Sequence, residues 1–137
     1  MNRYIFILLH IGILYTLAED ASTPNKTNDL AFSYAQAAAY YGLAVEAMAK
    51  SGKESVKFKK ARDVATYISL KLASVGGTDD MAVNISNSRI EICKKEMLKE
   101  IDSRNENFTV LINKYSDSSL ALINNPPKEV LDLLKRE

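Results

Sequence analysis

The chain has 137 residues, 47% of them apolar, which is enough for one packed core and too few for a large multidomain enzyme. Its 18 Lys and Arg are nearly balanced by 17 Asp and Glu, so no overall charge points to nucleic acid. The only histidine is His10 and the only cysteine is Cys93, so a chain that sheds its N-terminal segment has neither imidazole chemistry nor an internal disulfide.

Met1 to Ala18 have the layout of a secretory signal: Arg3 in a short basic start, an apolar run from Tyr4 to Leu17, and small residues at Thr16 and Ala18. The run is shorter than the roughly 20 residues a spanning helix needs, so cleavage after Ala18 is expected rather than a permanent anchor. Loss of Arg3 then leaves 17 basic against 17 acidic residues. The expected location is the periplasm or the extracellular medium, with no stable membrane insertion after cleavage. Asn25, Asn84 and Asn107 each open an Asn-x-Ser/Thr triplet, which would accept a glycan only along a eukaryotic secretory route.

Residues 19–27 are polar, contain Pro24 and show no periodicity, so they are expected to form a flexible leader to a domain spanning 28–137. From Leu30 the sequence turns helical. Leu30, Tyr34, Ala37, Tyr41, Ala44 and Met48 recur on one face, and Phe32, Ala35, Ala39 and Leu43 widen it. Asn28 is the expected N-cap and Gly52 the stop. The many alanines let neighbours approach closely, which predicts a central helix.

A second helix is expected from Ser55 to Val75, with Phe58, Ala61, Ala65, Ile68, Leu72 and Val75 inward and Gly76-Gly77 ending it. The short connection predicts an antiparallel αα-hairpin. Thr78 followed by Asp79 and Asp80 reads as an N-cap with acids in the first turn, opening a third helix that turns Ala82, Ile90, Cys93, Met97 and Ile101 inward. The sequence then predicts a short helix from Phe108 to Tyr115, a break at Ser116 to Ser119, and a fresh start at Leu120. Pro126-Pro127 precede a last helix with Val130, Leu131, Leu133 and Leu134. The expected fold is an all-α single-domain bundle of four to five helices built on the N-terminal hairpin.

Chemistry is scarce beyond residue 18. A Ser-Lys pair needs a desolvated lysine, and most lysines here fall in hydrophilic stretches. There is no cysteine pair, Glu-x-x-His step, calcium loop or P-loop. Asp79 and Asp80 are adjacent in a helix and point about 100° apart, so they do not form a carboxylate pair. Glu96 and Glu100 share a face with Lys95 and Lys99 beside them, which reads as a solvated surface. No cofactor, metal or catalytic residue is expected, and the chain is read as a non-enzyme.

The most uneven charge is the run Lys50, Lys53, Lys57, Lys59, Lys60 and Arg62, with only Glu54 and Asp63 nearby. Such a field favours an acidic partner. Tyr40 and Tyr41 must point to different sides of the first helix; core packing is the default for the tyrosines, and one of this pair at the surface, where tyrosine serves interfaces well, is the reading that a binding role calls for. The reading is an exported protein that binds another, acidic protein through Lys53, Lys57, Lys59, Lys60, Arg62, Tyr40 and Tyr41. Inhibitor or immunity-type protection is the role suggested by analogy with small exported bacterial domains. A small-molecule or lipid carrier, with the alanine-rich helix lining a cavity, and an envelope-associated structural protein are the alternatives.

Overall fold

The computed structural model describes residues 3–101 and 107–136, with side chains described from residue 26 onward. Five helices follow one another: α1 (Arg3–Lys50), α2 (Val56–Ser74), α3 (Asp79–Glu100), α4 (Thr109–Asn124) and α5 (Lys128–Leu134), with no strand among the described residues. The chain is an all-α single-domain bundle, as its periodicity predicted. The expected signal segment at 1–18 and the acceptor Asn25 lie outside the residues whose side chains are described.

The turn that builds the hairpin is written in a few residues. Gly52 adopts φ +69°, its N–H donates to the Ala49 carbonyl at 3.0 Å, and Lys53 N–H donates to the Met48 carbonyl at 2.9 Å. Together these satisfy the last carbonyls of α1 in a Schellman arrangement that needs a left-handed residue at this point. Three residues later Ser55 caps α2, its Oγ accepting from Phe58 N–H at 3.2 Å. Antiparallel register follows: Tyr41 meets Phe58 near the turn, while Ser69 reaches Ala31 at the far end.

α1 is the central helix, with α2, α3 and α4 all packed against it. Ala31, Tyr34, Ala35, Ala37, Ala38, Ala39, Tyr40, Tyr41, Leu43 and Ala44 are buried, so burial on this stretch is wider than one stripe, with Phe32 left exposed. The alanines allow three helices to come close, and two buried serines fit between them. Ser69 Oγ donates to the Ala31 carbonyl at 3.2 Å, and Ser86 Oγ donates to Ser69 Oγ at 3.2 Å, which ties α1, α2 and α3 with satisfied polar groups. Ser86 belongs to the triplet at Asn84, so that triplet turns its hydroxyl inward while Asn84 itself is exposed.

Cys93 and Met97 are buried on α3 beside Tyr40, Leu111 and Tyr115, and Val130 of α5 is buried with Tyr34 and Leu72. Burial, and secondarily Glu96, pushes the Cys93 thiol up to about 11, the behaviour of an enclosed apolar side chain. α3 opens as expected, with Thr78 Oγ1 accepting from Met81 N–H at 3.4 Å and Asp79 and Asp80 in its first turn.

Several expectations need correction. Asn28 does not cap α1, whose helical backbone runs through the expected leader at 19–27; its Oδ1 accepts instead from Arg89 Nη2 at 3.2 Å, across to α3. Phe32 is 40% exposed, because the close contacts of α1 run along its alanines. Val75 is outside α2, at its C-cap, and is exposed. α4 does not break at Ser116 to Ser119. Ser118 Oγ donates back to the Tyr115 carbonyl at 3.2 Å and Ser119 is buried, so the serines are absorbed into one continuous helix. Its start is covered by Asn107, whose Oδ1 accepts from Thr109 N–H at 3.0 Å.

Candidate functional site

The basic run divides into two faces of α2. Residues 57, 60, 61 and 64 are spaced three and four apart and share one face, whereas 59, 62 and 63 lie on the other. On that second face the cations are paired: Lys59 with Glu54, and Arg62 with Asp63, whose Oδ1 takes both Arg62 Nε at 2.9 Å and Nη2 at 2.8 Å. Lys59 holds the Glu54 carboxyl below the ordinary carboxylate range, first by hydrogen bonding to it. The stem of Arg62 crosses Gly42, where a Cβ would sit 3.9 Å from its Cδ. Lys50, Lys53, Lys57 and Lys60 are exposed, and their ammonium groups have no carboxylate partner among the described residues.

Beside Lys57 and Lys60 the surface opens into a cleft of about 310 Å³ between α1, α2 and α4. Tyr40 and Tyr41 form its inner wall. Phe58, Ala61 and Val64 supply the α2 side, and Ser116, Leu120, Ile123 and Asn124 supply the α4 side. Its lining is mostly apolar, with the two lysines as its cations. Val64 at 43% exposure and Leu120 at 40% mark the open lips.

The tyrosines are not a surface patch. Both are 4% exposed, which corrects the expectation that one of them would stand at the surface. Tyr40 and Tyr41 do diverge on the helix, but α1 is enclosed on both sides: Tyr40 stacks with Phe108 at 6.2 Å between ring centroids, and Tyr41 meets Phe58 at 5.9 Å. Their two rings lie 5.2 Å apart. Burial, and then the neighbouring Tyr40, raises the Tyr41 phenol above its ordinary value. They reach the surface only as the back of the cleft. Thus Tyr40, Tyr41, Lys57 and Lys60 are brought to one place, Lys53 stands in the turn nearby, and Lys59 and Arg62 face away.

The α4 side of this cleft was missed by sequence reasoning, because a break at Ser116 to Ser119 would have removed it. The spacing of Ser116, Leu120, Ile123 and Asn124 at four, three and one is the signal that one helical face runs through the serines.

A second polar constellation joins α3 to α4. Tyr115 Oη donates to Glu100 Oε1 at 2.5 Å, and Lys114 Nζ donates to the same carboxylate at 2.9 and 3.0 Å. The Glu100 carboxyl is held below its ordinary range, first by the Tyr115 hydroxyl and then by Lys114, while Lys114 is raised by Glu100. Burial, then Glu100, raises the Tyr115 phenol. Each shift fixes the group in its ordinary neutral-pH state, so the cluster is a clamp rather than an acid/base pair poised to exchange protons.

Among the described residues no group of three or more His, Cys, Asp and Glu could hold a metal ion, and no helix is long and apolar enough to cross a membrane. No family model, curated protein or solved structure matches this chain.

Proposed function

We propose that this chain is an exported, non-enzymatic binding protein whose working surface is the α1–α2 turn and the adjoining lip of the cleft, and whose partner is an acidic protein. The observation that carries the reading is the set Lys50, Lys53, Lys57 and Lys60, four exposed ammonium groups without carboxylate partners among the described residues. Unpaired cations gathered at one end of a bundle accelerate encounter with an acidic surface and weaken with salt. Export is supported by the Arg3, Tyr4 to Leu17 and Ala18 pattern, and the absence of histidine beyond His10 supports a non-catalytic role. Inhibition of an enzyme by covering its active site is the form of binding that small cofactor-free exported domains suggest, by class analogy alone.

The test is affinity capture from a periplasmic extract with the purified protein and with a Lys53→Glu, Lys57→Glu, Lys60→Glu variant at low and high salt. The expected result is one acidic protein held at low salt by the parent, released by salt and not held by the variant. Equal recovery by parent and variant, or no recovered protein at low salt, contradicts the reading.

The cleft favours a second reading, carriage of a small apolar ligand, since sites for such ligands are concave, mostly apolar and carry a few convergent polar groups. Tyrosines of α1, rather than its alanines, line this space.

A further inference from the structure

We infer that the cleft between α1, α2 and α4 is a binding site for a single-chain carboxylate amphiphile, with the alkyl chain against the aromatic wall and the carboxylate at Lys57 and Lys60. This rests on the carrier reading and draws on Lys57 and Lys60, two of the four lysines that the protein-docking reading also uses.

Three features of the cleft select that ligand class. Its size, about 310 Å³, lies at the lower end of small-molecule sites, which suits one chain and not a two-chain lipid. Its walls are Tyr40, Tyr41, Phe58, Val64, Leu120 and Ile123, so the ligand body must be apolar, and each methylene transferred from water adds favourable burial. The two cations that line it are one helical turn apart on the same face of α2, with no carboxylate among the described residues to neutralise them. A neutral ligand would leave that pair of charges unused, and a cationic one would be repelled. Ammonium groups beside an apolar slot match a carboxylate at the end of a chain. Apart from the tyrosine hydroxyls, the remaining polar side chains of the lining, Ser116 and Asn124, are both on α4.

Tyr40 stacks with Phe108 and Tyr41 meets Phe58, so each ring of the aromatic wall is packed against a neighbour of its own.

The experiment titrates the purified protein with decanoate, 1-decanol and decyltrimethylammonium below their micellar concentrations, following amide chemical shifts and calorimetry. Decanoate is expected to bind tightest, to shift amides of residues 57–64 and 116–124, and to weaken as salt is raised. Lys57→Glu with Lys60→Glu is expected to weaken decanoate at least about tenfold while decanol changes less than about twofold. Val64→Trp, made at an exposed lip where folding tolerates it, is expected to block both ligands, with an unchanged melting temperature as the control for folding. If decanol binds as tightly as decanoate and the lysine variant leaves both unchanged, the carboxylate assignment is wrong while the carrier reading survives. If none of the three binds, or if the shifted amides map elsewhere on the bundle, both are wrong.

Discussion

The Tyr34 hydroxyl donates to the Leu122 carbonyl at 2.9 Å, joining a fully buried ring of α1 to the last turn of α4. Leu122 is among the final four residues of α4, whose carbonyls have no amide donor within the helix, so a tyrosine from another element supplies the missing bond. The same helix end carries Ile123 and Asn124 into the cleft, and Tyr34 thereby fixes one of its walls.

Tyr34→Phe leaves that carbonyl without its donor and is expected to cost about 1–3 kcal/mol, read as a lowered midpoint in urea with an unchanged slope. Burial raises the Tyr34 phenol from 10.0 to about 12. Folding therefore favours the protonated form. Because the unfolded chain gives up this proton first, that increment is complete below pH 10 and is lost as pH rises from 10 towards 12, so the parent should lose more of its urea midpoint over that interval than Tyr34→Phe does.

At the α3–α4 clamp, Tyr115→Phe is expected to let the Glu100 carboxyl rise towards its ordinary value, and Lys114→Ala to do the same to a smaller extent, since the tyrosine hydroxyl is the larger cause. Carboxyl carbon shifts followed across an acid titration measure both. Because the folded value is depressed, the contribution to stability is present above the unfolded value of 4.5 and is lost as pH falls through the folded one. The pair is partly solvated, so the effect on stability is small.

Two glycines should respond in opposite directions. Gly52→Ala forces a side chain into φ +69° and is expected to destabilise by about 1–2 kcal/mol. Gly42→Ala, in a regular helix with its nearest neighbour Arg62 Cδ at an ordinary 3.9 Å, is expected to stabilise by up to about 1 kcal/mol. Thermal melts of the two variants beside the parent decide both.

Cys93 is buried, with its thiol raised to about 11. A thiol reagent at pH 8 is expected to label it only as fast as the bundle opens, and at once in guanidinium. Rapid labelling of the native protein would show that α3 does not close over it.

The helices were legible where one residue governs a local event: Thr78 as a cap, Gly52 as a stop, and the stripe of Ala65, Ile68 and Leu72 at helical spacing. Of the cleft, the two lysines and the two tyrosines were legible. What hid the rest is long-range. Serines that looked like a break bond back to their own helix, as Ser118 does to Tyr115, and only the spacing of Ser116, Leu120, Ile123 and Asn124 along one face marks the helix as continuous. Tyr40 and Tyr41 looked like a divergent pair with one ring in water, but α1 is covered on both sides, and that enclosure depends on where Phe58 and Phe108 come to rest. Likewise the paired state of Lys59 and Arg62, against the unpaired state of Lys57 and Lys60, turns on which side of α2 each one occupies.

That division also gives the sharpest comparison. Lys57→Gln with Lys60→Gln and Lys59→Gln with Arg62→Gln remove the same net charge from the same helix, so affinity for the protein captured by the parent at low salt can be compared directly between them. Loss of affinity in the first pair with near-parental affinity in the second is the result expected if the lip of the cleft is the working surface. Equal losses in the two pairs, or a loss confined to the second, would contradict it.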